Sequence, residues 1–177
     1  FLNSDTTHEP DCLRVLVDAA EQRTMVVPRI LYAHDRRLIS THAGDFDWTL
    51  GLFRRTYHGK PDGPATRRRR ELQTASFCCI LLPARAFEAA GPLDERFFMY
   101  YEETDFLRRA LARGYRLLYV PEAVVYHRES ASSVIGSAGA SSIACSKYSA
   151  ARSKSPNSPN AREPIRASDW ARSCPCT

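Results

Sequence analysis

Between Phe97 and His127 the chain reads FFMYYEETDFLRRALARGYRLLYVPEAVVYH, and this order of residue types leaves few choices of local structure. Thr104 to Arg113 predicts a helix with Thr104 or Glu103 near its cap. Phe106, Leu107, Ala110 and Leu111 form its inner face. Gly114 suits the left-handed stop. Tyr115 to Val120 then reads as a strand ended by Pro121, and Ala123 to Tyr126 as a second short strand that delivers His127. Glu102, Glu103 and Asp105 stand at the mouth of this helix, behind a run of aromatics. Carboxylates beside aromatics are costly for a core and useful for a catalytic site.

The same alternation of strand and helix continues upstream. Residues 1–3 read as the end of a buried strand and Asn3-Ser4-Asp5-Thr6 as a turn. Glu9-Pro10-Asp11 opens a helix whose apolar face is Leu13, Leu16, Val17 and Ala20. Met25 to Val27 is a short buried strand stopped by Pro28. Ile30 to Tyr32 and Leu38 to Ser40 are two small strands around the turn His34-Asp35-Arg36. Residues 41–71 are punctuated by glycine and proline and read as a long loop, functional or mobile. Ala75 to Leu82 is an apolar run of strand length, and Ala84 to Ala90 a short helix ended by Gly91-Pro92. Residues 1–133 form the domain, and residues 134–177, rich in Ser, Ala and Gly and then without periodicity, read as a low-complexity, disordered tail. The abrupt start at Phe1-Leu2-Asn3 reads as an N-terminal truncation.

Composition narrows the functional classes. The 177 residues favour one domain with a real core, and 44% hydrophobic residues is ordinary for a globular protein. The six cysteines include no CxxC pair, which argues against a zinc or redox motif and for a reducing compartment. Adjacent Cys78 and Cys79 in an apolar run read as buried thiols. No stretch approaches the ~20 apolar residues a bilayer requires. A net charge of +5 draws much of its excess from Arg67–Arg70 and the C-terminal stretch. That arginine run reads as a solvated loop or as a mobile loop that meets a diphosphate or an anionic lipid surface. Without aromatic interleaving or a motif it does not support nucleic-acid binding.

Each candidate site residue has a plain structural reading beside the functional one. Asp5 follows a short apolar run, where an acid can hold Mg2+ or Mn2+ against a diphosphate or simply form an Asx-turn or cap the helix that follows. Glu102, Glu103 and Asp105 either complement the helix dipole or form a catalytic cluster that the aromatics desolvate. His127 is a structural histidine or a metal ligand, and as a ligand it needs partners from elsewhere, Asp5 being the obvious one.

Three segments, FLNSDTTHEPDCLRVLVDAA, VVPRILY and AFEAAGPLDERFFMYYEETDFLRRALARGYRLLYVPEAVVYH, together resemble family 2 glycosyltransferases of the bacterial rhamnosyltransferase-like branch in order, spacing and letters. The resemblance covers roughly residues 1–133. It implies an α/β fold, a mixed sheet with helices on both faces, as the C-terminal part of a GT-A domain. It also implies a nucleotide-sugar donor, a glycan or lipid-linked acceptor, and Mg2+ or Mn2+ as cofactor. Asn3 and Asp5 lie where the family places its DxD-type motif and would face the donor diphosphate, with Asp5 on the metal. Glu103 matches the second acid of the family's acidic pair, the general base. Asp105 matches the helix-start acid that orders the site, and His127 the strand-end histidine that can complete the metal shell. The expected reaction is a single, inverting displacement. The expected location is cytoplasmic, with possible peripheral contact at the membrane. The family's nucleotide-binding half has no counterpart in this sequence, so a non-catalytic remnant that folds and binds a metal or a partner is the competing expectation.

Overall fold

Two long strands, β2 (Thr24–Tyr32) and β6 (Arg116–His127), run parallel and form the spine of the protein. The computed structural model describes residues 1–40, 44–47, 52–55, 57–97 and 101–128. Along the other edge of β6 lie two short antiparallel partners. β1 (Thr6–His8) pairs with Val125–His127, and β5 (Arg70–Glu71) with Leu118–Tyr119. The sheet is therefore mixed, as the sequence implies. A separate antiparallel pair joins β3 (Gly44–Asp47) and β4 (Leu52–Arg55).

Pro28 and Pro121 do not end their strands. Pro28 is paired with Val120, but Arg29 is paired with Val124, so residues 121–123 bulge from β6 at the level of Pro28. A proline offers no N–H to a ladder. Placing both prolines at one irregularity confines the loss to a single point, and pairing resumes beyond it. The bulge also turns β6 over. Leu117 and Tyr119 face one core before it, whereas Ala123 and Val125 join Val120 in the other core after it.

Helices cover both faces. α1 (Cys12–Ala19) packs on Val26, Ile30, Val120 and Val125. The buried face of α1 differs from the expected one: Cys12 and Leu16 are buried, with Val15 and Ala19 against them, while Leu13 and Val17 are more than half exposed. The chain enters α1 through Asp11 only after β1 has paired with β6, and that entry sets the rotation. On the opposite face lie α2 (Ala84–Ala90) and α3 (Glu102–Leu111). Phe106, Leu107 and Ala110 are wholly buried there against Met25, Val27 and Leu117. Phe106 also meets Phe87 at 4.6 Å between centroids and Phe77 edge-on at 5.8 Å.

Several expectations are corrected. The stretch from 41 to 71 holds the β3–β4 pair, a 3-10 turn at Pro64–Arg67 and β5, so it is not one long loop. The arginine run is exposed at Arg67, Arg68 and Arg69, as a solvated segment would be, but three of its four members have partners. Arg67 pairs with Asp62 at 2.8 Å, Arg69 pairs with Glu122 at 3.1 Å, and Arg70 stacks over Tyr57. Asp62 also receives Arg29 at 3.1 Å with both side chains largely buried. Burial alone would raise its pKa; the hydrogen bonds from Arg67 and Thr66 and the charge of Arg29 outweigh that and hold it low. Ala75 to Leu82 makes only isolated bridges, Cys79 to Leu2 and Leu81 to Val26. A turn in which the Cys78 N–H donates to Ser76 Oγ interrupts it. Phe1 and Leu2 are more than half exposed, so the expected burial of this strand end is not met, although Leu2 does bridge Cys79 antiparallel. Cys78 and Cys79 are buried thiols, as their apolar run suggests. The expected tail, 134–177, lies outside the described residues.

Candidate functional site

The parallel pair β2–β6 directs its C-terminal ends, Tyr32 and His127, to one edge of the sheet. That is where open α/β sheets place ligands. β1 approaches the same edge antiparallel to β6, with Thr6 opposite His127. The turn before β1 is closed by the Thr6 hydroxyl donating to the Asn3 carbonyl at 2.6 Å. Asp5 therefore arrives beside His127, with Oδ2 3.2 Å from Nε2. Backbone bonds hold both residues: Arg128 N–H donates to the Asp5 carbonyl and Ala33 N–H to the His127 carbonyl, each at 2.9 Å. Asn3 sits exposed in the same turn, tied by its N–H to the Cys78 carbonyl at 2.9 Å.

Two residues at this edge escape a sequence reading. Ser40 Oγ lies 3.4 Å from His127 Nδ1, and Ser40 is almost completely buried. His58 Nδ1–H donates to the Ser40 carbonyl at 3.4 Å, leaving Nε2 to accept from the Tyr32 hydroxyl at 3.5 Å. A serine closing a short apolar run and a histidine before Gly59 carry no local mark of these contacts.

The second group of candidates occupies the first turn of α3. Tyr101, the residue before the helix, has φ 75°, a left-handed conformation that a bulky side chain adopts at a cost. Glu102 and Glu103 follow, and each has a buried Oε2 without a hydrogen-bond partner among the described residues. Burial, reinforced by the Glu102 charge, lifts the Glu103 carboxyl to about 7, although backbone N–H groups of Glu103 and Tyr101 oppose the shift. A carboxyl poised near neutrality is matched to proton abstraction at cellular pH. Asp105 is placed differently. It pairs with Arg109 at 2.8 Å, and the same guanidinium donates to the carbonyls of Ala90 and Pro92. Asp105 thus fastens α3 to the end of α2.

Asp5 and His127 are brought into contact with each other. Among the described residues no contact joins them to Glu103. Ser40 touches His127, and Gly44 exchanges both N–H···O bonds with Thr74, at 3.1 and 3.3 Å. Thr74 Oγ1 in turn meets Thr104 Oγ1, beside Glu103, at 3.2 Å.

The donor set at the sheet edge suits a divalent cation. Two ligands about 2.1 Å from an ion and at right angles stand about 3 Å apart, close to the observed 3.2 Å between Asp5 Oδ2 and His127 Nε2. One oxygen and one imidazole nitrogen favour Mn2+ over Mg2+. The described residues contain no group of three or more potential metal ligands. An ion here would complete its shell from phosphate oxygens and water, the usual arrangement for an ion shared with a diphosphate.

The model of the glycosyl transferase family group 2 matches residues 1–139 of the chain. The chain is also similar to curated proteins of two Mycobacterium tuberculosis strains, CDC 1551 / Oshkosh and ATCC 25618 / H37Rv. Each is named N-acetylglucosaminyl-diphospho-decaprenol L-rhamnosyltransferase and is 41% identical over 51 residues. That match covers 29% of this chain and 17% of the length of each relative.

Proposed function

Because the chain belongs to the glycosyl transferase family group 2, we propose that its sheet edge and the mouth of α3 form the sugar-transfer site, with Glu103 as the general base. The observation that carries this reading is the Glu103 carboxyl: partly buried, with one oxygen unpartnered among the described residues and its pKa pushed up to about 7. An acid kept this way for stability alone would be a loss; as a base it is poised for use.

The reaction follows from the groups present. Glu103 accepts the proton of the acceptor hydroxyl as its oxygen attacks the anomeric carbon of the donor. The bond to the nucleoside diphosphate breaks on the opposite side, which inverts that carbon. Asp5 and His127 would hold Mg2+ or Mn2+, which supplies positive charge against the departing diphosphate. Asn3, exposed in the same turn, would face the diphosphate. Asp105 acts through Arg109, fixing the first turn of α3 and hence the aim of Glu103. The names of the relatives suggest an acceptor sugar on a lipid diphosphate. No described helix is long and apolar enough to cross a membrane. Such an acceptor would be met by peripheral contact at the membrane surface, from the cytoplasmic side.

The test is transfer from a nucleotide-sugar donor as a function of pH. With Glu103 intact, kcat/KM rises through about pH 7 as the carboxyl ionises. Glu103→Gln lowers it by roughly 10²–10⁴-fold, with donor binding retained. Undiminished transfer by that variant would end this assignment.

A further inference from the structure

We propose that Ser40 is a positioning residue for His127, whose hydroxyl changes from hydrogen-bond donor to acceptor so that the ring can leave its pairing with Asp5 and ligate a metal. This inference rests on the reading of Asp5 and His127 as the metal pair.

The His127 ring sits between two partners of opposite character. Nε2 faces a carboxylate oxygen at 3.2 Å, and Nδ1 faces the Ser40 hydroxyl at 3.4 Å. A neutral imidazole carries one proton and one lone pair. With no metal, the proton belongs on Nε2, where Asp5 accepts it, and the Nδ1 lone pair then accepts from Ser40 Oγ–H. A ring that ligates through Nε2 must offer its lone pair there. Its proton then moves to Nδ1 and needs an acceptor. Of the common side-chain groups a hydroxyl can serve both states without moving its oxygen, because only its hydrogen rotates. A carboxylate or carbonyl could serve only the second state.

The surroundings bury that oxygen and hold the backbone that carries it. Ser40 is 1% exposed. Its N–H donates to the Ile30 carbonyl at 3.0 Å, and its carbonyl accepts from His58 Nδ1–H at 3.4 Å. His127 is fixed as firmly, by strand pairing to Thr6 on one side and Tyr32 on the other. With both backbones held and Ser40 buried, the positions of two protons distinguish the two states.

The experiment uses the full chain and two probes, Mn2+ followed by electron paramagnetic resonance and Zn2+ as a diamagnetic ion for nitrogen-resolved NMR of 15N-histidine. Ser40→Ala is expected to weaken Mn2+ binding by roughly 10–100-fold, and Ser40→Thr, which restores a hydroxyl, to recover most of that loss. The wild-type His127 ring is expected to carry its proton on Nε2 without metal and on Nδ1 with Zn2+ bound. Unchanged Mn2+ affinity in Ser40→Ala, while Asp5→Ala and His127→Ala lose it, would overturn the role of Ser40 and leave the metal pair standing. Unchanged affinity in all three variants would overturn the metal pair itself, and the role of Ser40 with it. Should Ser40→Ala not fold, the wild-type NMR decides: a ring that keeps its proton on Nε2 with Zn2+ bound contradicts the proposal.

Discussion

The two ends of the β2–β6 pair make different use of the same strands. Before the proline step, Met25, Val26, Val27, Leu117, Tyr119 and Val120 are all buried and lie under helices on both faces. Beyond it the strands carry Arg29, Tyr32, Tyr126 and His127, and their neighbours are Asp5, Ser40, His58 and Asp62. The near end gains its stability from apolar area removed from water. The far end holds polar groups whose burial has to be offset by partners. At the mouth of α3, where the Oε2 atoms of Glu102 and Glu103 are buried without a partner among the described residues, a cost is retained. One strand pair thus carries an apolar core and a polar end, and the step at Pro28 and Pro121 separates the two.

Four measurements would break or sharpen this contrast. The largest effect belongs to the near end: Phe106→Ala removes a wholly buried ring stacked on Phe87. It is expected to cost about 3–5 kcal/mol in urea unfolding. A loss below about 1 kcal/mol would mean that the near end is not the stabilising half. Next comes the pH dependence of Glu103. Its folded pKa of about 7 stands above the ordinary 4.5. Below 4.5 the carboxyl is protonated in both states. Between 4.5 and 7 the unfolded chain releases a proton that the folded chain keeps, so stability falls with rising pH, by about 3 kcal/mol in all. Glu103→Gln does not ionise, so it should be the more stable protein at pH 8 and lose that advantage at pH 4. Equal curves for the two proteins would show that the mouth of α3 carries no such cost.

A smaller effect is expected at Arg109. Removing its guanidinium with Arg109→Ala frees Asp105 and the carbonyls of Ala90 and Pro92, at a cost of about 1–3 kcal/mol. Because Asp105 is given a positioning role, transfer should suffer mainly in kcat, and an unaltered kcat would remove that role. The smallest is Arg69→Ala. Its pair with Glu122 is about half exposed on both sides, and thermal unfolding should register under about 1 kcal/mol.

Much of the near end was legible because its signals are local. The helix with Phe106, Leu107 and Ala110 inward was readable from spacing. So were the glycine stops: Gly91 and Gly114 have φ of 79° and 82°, which other residues rarely adopt. The proline stops misled, because whether a missing N–H ends a strand depends on what its neighbour offers at that level. The partners of the arginine run were hidden for a similar reason. Asp62, Glu122, Tyr57 and Tyr119 lie outside the run, and only folding brings Arg67, Arg69 and Arg70 to them.

The amino-acid sequence by itself determined the secondary-structure types that rest on local periodicity, the α/β class, and through its motifs the family. Those properties depend on residues within a turn or two of one another. The tertiary structure alone decided that Asp5 meets His127, that Ser40 and His58 stand behind them, and that Glu103 is held near neutrality while Asp105 is tied to Arg109. Ion pairing and desolvation depend on distances through space, and these are set by the packing of residues far apart in the chain.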